Sequence, residues 1–147
     1  MRKTLMLLMF LIFGNELLFS QKKIWDETKE EKKERMQWWT DARFGMFIHW
    51  GLYAQPARHE WVKSAERMTN EDYQKYFDIF NPDLYDPYDW AKQAKKAGMK
   101  YAVITAKHHE GFNLFDSKFT DYKSTNTPYG KDILREWVEV FRSEGLK

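Results

Sequence analysis

The chain has 147 residues, the usual size of one domain, with 24 basic and 22 acidic side chains and a net charge of +2. That balance offers no broad basic surface for nucleic acid and no acidic tail. No cysteine is present, which excludes disulfides, thiol catalysis and cysteine zinc sites, whereas seven Trp and an 18% aromatic content leave rings available to face a ligand.

Arg2 and Lys3 precede an uninterrupted apolar run, Leu5 to Phe13, which Gly14, Asn15 and Glu16 break before the small residue Ser20. This is the order of a secretory signal peptide. The run is too short to cross a bilayer core of roughly 30 Å as a mature helix. Residues 1–20 are therefore expected to be cleaved, leaving residues 21–147 in a bacterial periplasm or outside the cell with no stable membrane insertion.

Asp26 to Arg35 is dense in Lys and Glu, with Glu31 and Arg35 at helical spacing, and reads as a solvated helix leading into Met36, Trp38 and Trp39. Arg43 to Ile48 reads as a first strand, followed by a long connection that holds Glu60 and Trp61. Thr69 with Asp72 resembles a capping box that opens a helix through Asp78. Asp86-Pro87 opens the next helix, Asp as N-cap and Pro at the first helical position. Trp90, Ala91, Ala94 and Ala97 give that helix a narrow stripe of mostly small residues for close packing on a sheet, and Gly98 ends it. Met99 to Ala106 is the second strand. A strand, a long helical crossover and a second strand imply a parallel pair. The stretch from His108 to Gly130 is a long loop of the kind that carries function. Asp132 caps a last helix with Ile133, Leu134, Trp137, Val138 and Phe141 on one face, and Gly145 stops it. Leu146-Lys147 then reads as the entry to a third strand. Two parallel strands cannot close a barrel. The fold class is α/β, and residues 21–147 are expected to be the N-terminal portion of a larger (β/α)8-like TIM barrel.

Both strands deliver histidine at their ends: His49 after Phe44 to Ile48, and His108 and His109 after Tyr101 to Thr105. Polar residues at the C-terminal ends of parallel strands are where α/β folds place their chemistry. A neutral imidazole offers one donor and one acceptor, which suits a hydroxyl. From spacing alone, a histidine at a strand end is equally a satisfied structural group. On an extended segment His108 and His109 face opposite ways, so both enter one site only if the backbone bends. Adjacent histidines on a regular strand are poor ligands for a single ion and no H-x-x-x-H spacing occurs, so neither metal nor cofactor is expected.

Two long blocks carry a family resemblance. Trp39-Thr-Asp-Ala-Arg43-Phe-Gly-Met-Phe-Ile-His49-Trp-Gly-Leu-Tyr53, followed by Glu60-Trp61, resembles the opening of the α-L-fucosidases of glycoside hydrolase family 29. Trp90 to Phe112, ending in Lys-His108-His109-Glu-Gly-Phe112, resembles that family's second conserved block. Glu110 stands where the family more often has Asp, and Val62 where an aromatic is frequent. The resemblance implies a barrel catalytic domain, a fucosylated glycan as substrate and a retaining mechanism, which needs two carboxyl groups about 5–5.5 Å apart. It implies that His49, His108 and His109 bind fucose hydroxyls, that Trp61 lines the pocket and that Phe47 contacts the sugar methyl or belongs to the barrel core. Glu60 corresponds to a carboxylate near the sugar that binds a hydroxyl, tunes a histidine or takes part in acid/base catalysis. The nucleophile is an aspartate on a later strand of the family barrel and is expected beyond Lys147.

Overall fold

The computed structural model describes residues 26–147. The expected signal peptide lies outside the described residues. Among those described, no helix is long and apolar enough to cross a membrane. The described residues divide into two units, with the boundary between Asp41 and Ala42.

The first unit contains most of helix α1, Lys29–Ala42. Its start is fixed by a reciprocal pair. The Thr28 backbone N–H donates to Glu31 Oε2 at 2.8 Å, and the Glu31 N–H donates to Thr28 Oγ1 at 3.2 Å. The Glu31–Arg35 pairing suggested by their spacing gives way to this cap. Arg35 turns instead to Glu27, ahead of the helix, in a two-pronged contact of 2.6 and 2.9 Å. A forked guanidinium gains more from that geometry than from a single i,i+4 contact. None of the helix's residues is buried, as its charge density requires.

In the second unit, β1 (Gly45–Ile48) and β2 (Tyr101–Ile104) form a parallel pair with Gly45 opposite Tyr101 and Ile48 opposite Ile104. Both are shorter than their apolar runs. A Cβ on Gly45 would lie 2.5 Å from the Tyr101 ring, so only glycine fits opposite that tyrosine. Between the strands lie a 3-10 turn (Leu52–Ala54) and helices α2 (Val62–Ala65), α3 (Asn70–Asp78) and α4 (Pro87–Lys96). A second 3-10 turn (Ser124–Asn126) and α5 (Ile133–Ser143) come after β2. The expected signals set the helix ends. Thr69 and Asp72 form a complete capping box, and Asp86 and Asp132 accept from Asp89 N–H and Arg135 N–H at 3.0 and 2.8 Å. Gly98 and Gly145 take the left-handed conformation that ends α4 and α5. At the first of these ends, Gly98 N–H bonds Lys95 O and Met99 N–H bonds Ala94 O.

The alternation of each strand places Met46, Ile48, Ala102 and Ile104 against α4 and α5, where Ala91, Ala94, Trp137, Val140 and Phe141 form a core. The small-residue stripe works as its composition predicts at Ala91 and Ala94, whereas Ala97, in the C-cap position, is exposed. A second core of Leu52, Tyr53, Val62, Tyr73, Phe80, Phe112, Leu114 and Ile133 gathers segments that lie beyond the strand ends. Lys147 N–H donates to Lys100 O at 3.1 Å and Lys147 O accepts from Ala102 N–H at 2.9 Å. These two bonds flank Tyr101 on the edge of β2 opposite β1, with no strand assigned at Leu146-Lys147. The described residues form a partial α/β arrangement: a short parallel sheet with helices packed on one face.

Candidate functional site

β1 and β2 end side by side, and one threonine ties together the two segments that leave them. Thr105 N–H donates to Ile48 O at 3.1 Å, Trp50 N–H donates to Thr105 Oγ1 at 2.8 Å, and the Thr105 hydroxyl donates to Trp50 O at 2.5 Å. Every polar group of Thr105 on this side is therefore committed to the chain leaving β1. That chain then winds into the 3-10 turn, which buries Leu52 and Tyr53 and aims the Tyr53 phenol back at the strand ends, 2.7 Å from His49 Nδ1.

After β2 the backbone bends. Gly111 N–H closes a turn on His108 O at 3.1 Å, and Gly111 takes a left-handed φ of 89°. The turn brings His108 and His109 to the same side, with ring centroids 4.6 Å apart. This is the bend that strand alternation alone could not supply.

An aromatic enclosure results. His49 meets His108 edge to face at 4.9 Å, and Tyr53 lies 4.8 Å from His108. Trp61 stands 5.8 Å from His108 and 3.8 Å from His109. Phe47 stacks along β1 on His49 at 6.2 Å. It is 65% exposed, on the sheet face opposite the helices, so within the described residues it is not a core side chain. Glu60 is exposed and lines two openings. One, of about 350 Å³, is shared with Trp61, His109 and Glu110; the other, of about 270 Å³, is shared with His49, Tyr53 and Arg58. All six residues singled out in the sequence are thus gathered at the strand ends.

Three further residues belong to this group without having been assigned from the sequence. Thr105 and Tyr53 are the first two. Glu110 is the third: its side chain is 3% exposed, and its Oε2 lies 3.2 Å from His108 Nδ1. Its other oxygen is buried with no hydrogen-bond partner among the described residues. Gly51 makes room for it, since a Cβ there would meet Tyr53 Cε1 at 2.7 Å and Glu110 Oε1 at 3.1 Å. Burial pushes the Tyr53 phenol up to about 12, helped by the Glu110 and Glu60 carboxylates and opposed by the Thr105 hydroxyl. Tyr53 is a neutral donor across the ordinary pH range. The only signal for these roles in the sequence is adjacency to the histidines.

The arrangement suits a polyhydroxylated ligand with an apolar face. Imidazoles serve the hydroxyls, aromatic rings pack on C–H surfaces, and a free carboxylate stands at the rim. Among the described residues, no group of three or more His, Cys, Asp or Glu is placed to hold a metal ion.

The family model for α-L-fucosidase matches residues 13–147. An α-L-fucosidase from Dictyostelium discoideum is 33% identical over 132 residues, covering 74% of this chain and 29% of that protein. Among solved structures, α-L-fucosidase isoenzyme 1 from Paenibacillus thiaminolyticus superposes with a TM-score of 0.78 at 66% identity, covering 79% of this chain and 28% of that one. A Bacteroides thetaiotaomicron α-L-fucosidase, trapped as a covalent intermediate with 2-fluoro-fucosyl fluoride, gives 0.74 at 44% identity over 78% of this chain and 28% of that one. The chain thus spans less than a third of the length of each of these relatives.

Proposed function

The chain belongs to the α-L-fucosidase family, and we propose that its protein is a retaining glycosidase that removes terminal α-L-fucosyl groups from glycoconjugates or oligosaccharides. The observation that carries this reading is the convergence of His49, Tyr53, Trp61, His108 and His109 at the ends of two adjacent parallel strands. His49, His108 and His109 bind sugar hydroxyls, and Trp61 and Phe47 supply apolar surface to the ring and its methyl group. A covalent intermediate in a relative supports retention.

Retention requires a nucleophile and an acid/base carboxyl. Near the enclosure stand Glu60, free at the rim, and Glu110, buried and held by His108. Glu60 is the candidate for an acid/base or supporting role. The nucleophile is supplied by sequence outside these 147 residues, in a barrel of which β1 and β2 are the first strands. Residues 1–20 export the protein to the periplasm or the exterior, on the strength of Arg2, Lys3 and the apolar run after them.

The test is hydrolysis of a nitrophenyl α-L-fucoside by the full-length protein, with proton NMR following the anomeric configuration of the first product. Turnover with retention is expected. Absence of fucoside turnover by well-folded full-length protein overturns the reading, and inversion overturns the mechanism. The 147-residue polypeptide alone is expected to give no turnover, and activity from it would place the nucleophile within this chain.

A further inference from the structure

We propose that Tyr53 and Glu110 are positioning residues that hold His49 and His108 in opposite tautomers, so that one Nε2 offers the sugar a donor and the other an acceptor. The inference rests on the reading of these histidines as sugar ligands, but its evidence is the hydrogen bonding behind them.

At His49 the tautomer depends on where two hydroxyl protons go. The Thr105 proton is committed to Trp50 O at 2.5 Å, and its oxygen already accepts from Trp50 N–H at 2.8 Å. Thr105 therefore has no proton for Tyr53. The buried Tyr53 phenol keeps its own proton and has two acceptors within reach, His49 Nδ1 at 2.7 Å and Thr105 Oγ1 at 3.4 Å. The shorter contact takes it, because hydroxyl hydrogen bonds weaken quickly beyond about 3.0 Å. Nδ1 of His49 is then an acceptor, and the ring proton of the neutral imidazole sits on Nε2.

At His108 the partner reverses the sign. A carboxylate has only lone pairs to offer, so Glu110 Oε2, 3.2 Å from His108 Nδ1, requires Nδ1 to carry the proton. Nε2 of His108 is left bare. The two rings are neighbours, edge to face with centroids 4.9 Å apart, and one is left with a donor where the other is left with an acceptor. A sugar hydroxyl both donates and accepts, and such a pair satisfies it fully. Two matched tautomers would leave either the hydroxyl proton without an acceptor or two acceptors competing for one proton. Neither tautomer is left to chance: Tyr53 is locked in the core by the turn after β1, and Glu110 has a 3%-exposed side chain against Gly51.

The experiment is nitrogen-15 NMR of histidine-labelled full-length protein at a pH of about 9, well above the ordinary imidazole range. One-bond and long-range couplings identify which ring nitrogen is protonated. We expect His49 protonated on Nε2 and His108 on Nδ1. The same tautomer on both rings, or the reversed pair, overturns the proposal. Tyr53→Phe is expected to release only His49 toward the tautomer mixture of free histidine, and Glu110→Met only His108. An unchanged ring in its own variant removes that positioning role. If a variant does not fold, the unsubstituted protein still decides, because its spectrum reads the protons directly. The measurement uses no substrate, so its failure is distinct from a failure to hydrolyse fucoside.

Discussion

At the scale of single residues, the site depends on one backbone position without a side chain. Gly51 has extended backbone, so alanine there is conformationally permitted, but its Cβ would meet Tyr53 at 2.7 Å and Glu110 Oε1 at 3.1 Å. Tyr53 is packed in the core and cannot withdraw. Gly51→Ala is therefore expected to cost about 1–3 kcal/mol of stability by overpacking, measured by denaturant unfolding, and to disturb both histidine partners together. Loss of a direct ligand acts differently. His49→Ala or His108→Ala removes a partner of a substrate hydroxyl, at about 1–3 kcal/mol each, or roughly ten- to a hundredfold in kcat/KM. An unchanged kcat/KM in both variants would remove them from the site. Tyr53 also titrates in a defined direction. Burial pushes it up to about 12, so between the ordinary tyrosine value of about 10 and about 12 the folded state keeps a proton that the unfolded state releases. The unfolded state then binds fewer protons, and stability falls as pH rises through that window. Tyr73 and Tyr122 are raised by burial in the same direction. The denaturant midpoint is expected to hold to about pH 9 and fall above about pH 10, with a shallower fall in Tyr53→Phe.

At the scale of elements, the features legible in sequence are the local ones. Helix ends announce themselves within four residues, and Thr69, Asp86, Asp132, Gly98 and Gly145 all stand where such signals put them. Helix α2 carries no such signal, because its N-cap is Trp61, whose side chain makes no capping bond. The strands are shorter than expected: Tyr101 to Ile104 pairs with β1, whereas Thr105, whose N–H still bonds Ile48 O, turns its hydroxyl to the loop after β1. The site divides in the same way. The histidines are visible as strand-end residues, but family resemblance is what distinguishes them from structural histidines. Thr105 escapes notice because its bonds to Trp50 span 55 positions, a distance no sequence window covers, and Tyr53 because only the turn after β1 aims its phenol at His49. The caps also differ in what they hold. Thr69 serves only α3, so Thr69→Ala is expected to cost about 1 kcal/mol and leave kcat/KM unchanged. Asp132 caps α5 with one oxygen and accepts from Asp116 N–H in the long loop with the other, at 2.8 and 3.0 Å. Asp132→Ala is expected to cost more, about 2 kcal/mol, and to loosen the loop as well as the helix, which hydrogen exchange at Asp116 would read.

At the scale of the whole molecule, the sheet sets the limit on what this polypeptide does alone. One face of β1 and β2 is covered by α4 and α5, but on the other face Phe47 is 65% exposed. Phe44, Trp61, Ile79, Leu84, Tyr88 and Phe119 are also exposed large apolar side chains. Among the described residues β1 has one strand partner, so its outer edge offers unpaired backbone groups. Ordering costs about 1–2 kcal/mol per residue in backbone entropy alone, and a sheet covered on one face recovers too little of it. The 147-residue polypeptide is therefore expected to self-associate or to melt without a single cooperative transition. Circular dichroism with sedimentation would read this across a concentration series. In the proposed barrel further strands would cover Phe47 and the β1 edge, and the full-length protein is then expected to unfold cooperatively as a soluble species. A sharp, concentration-independent transition from monomeric 147-residue chain would mean that the two cores around α4, α5 and the strand-end loops suffice by themselves, and that the exposed face is a true surface.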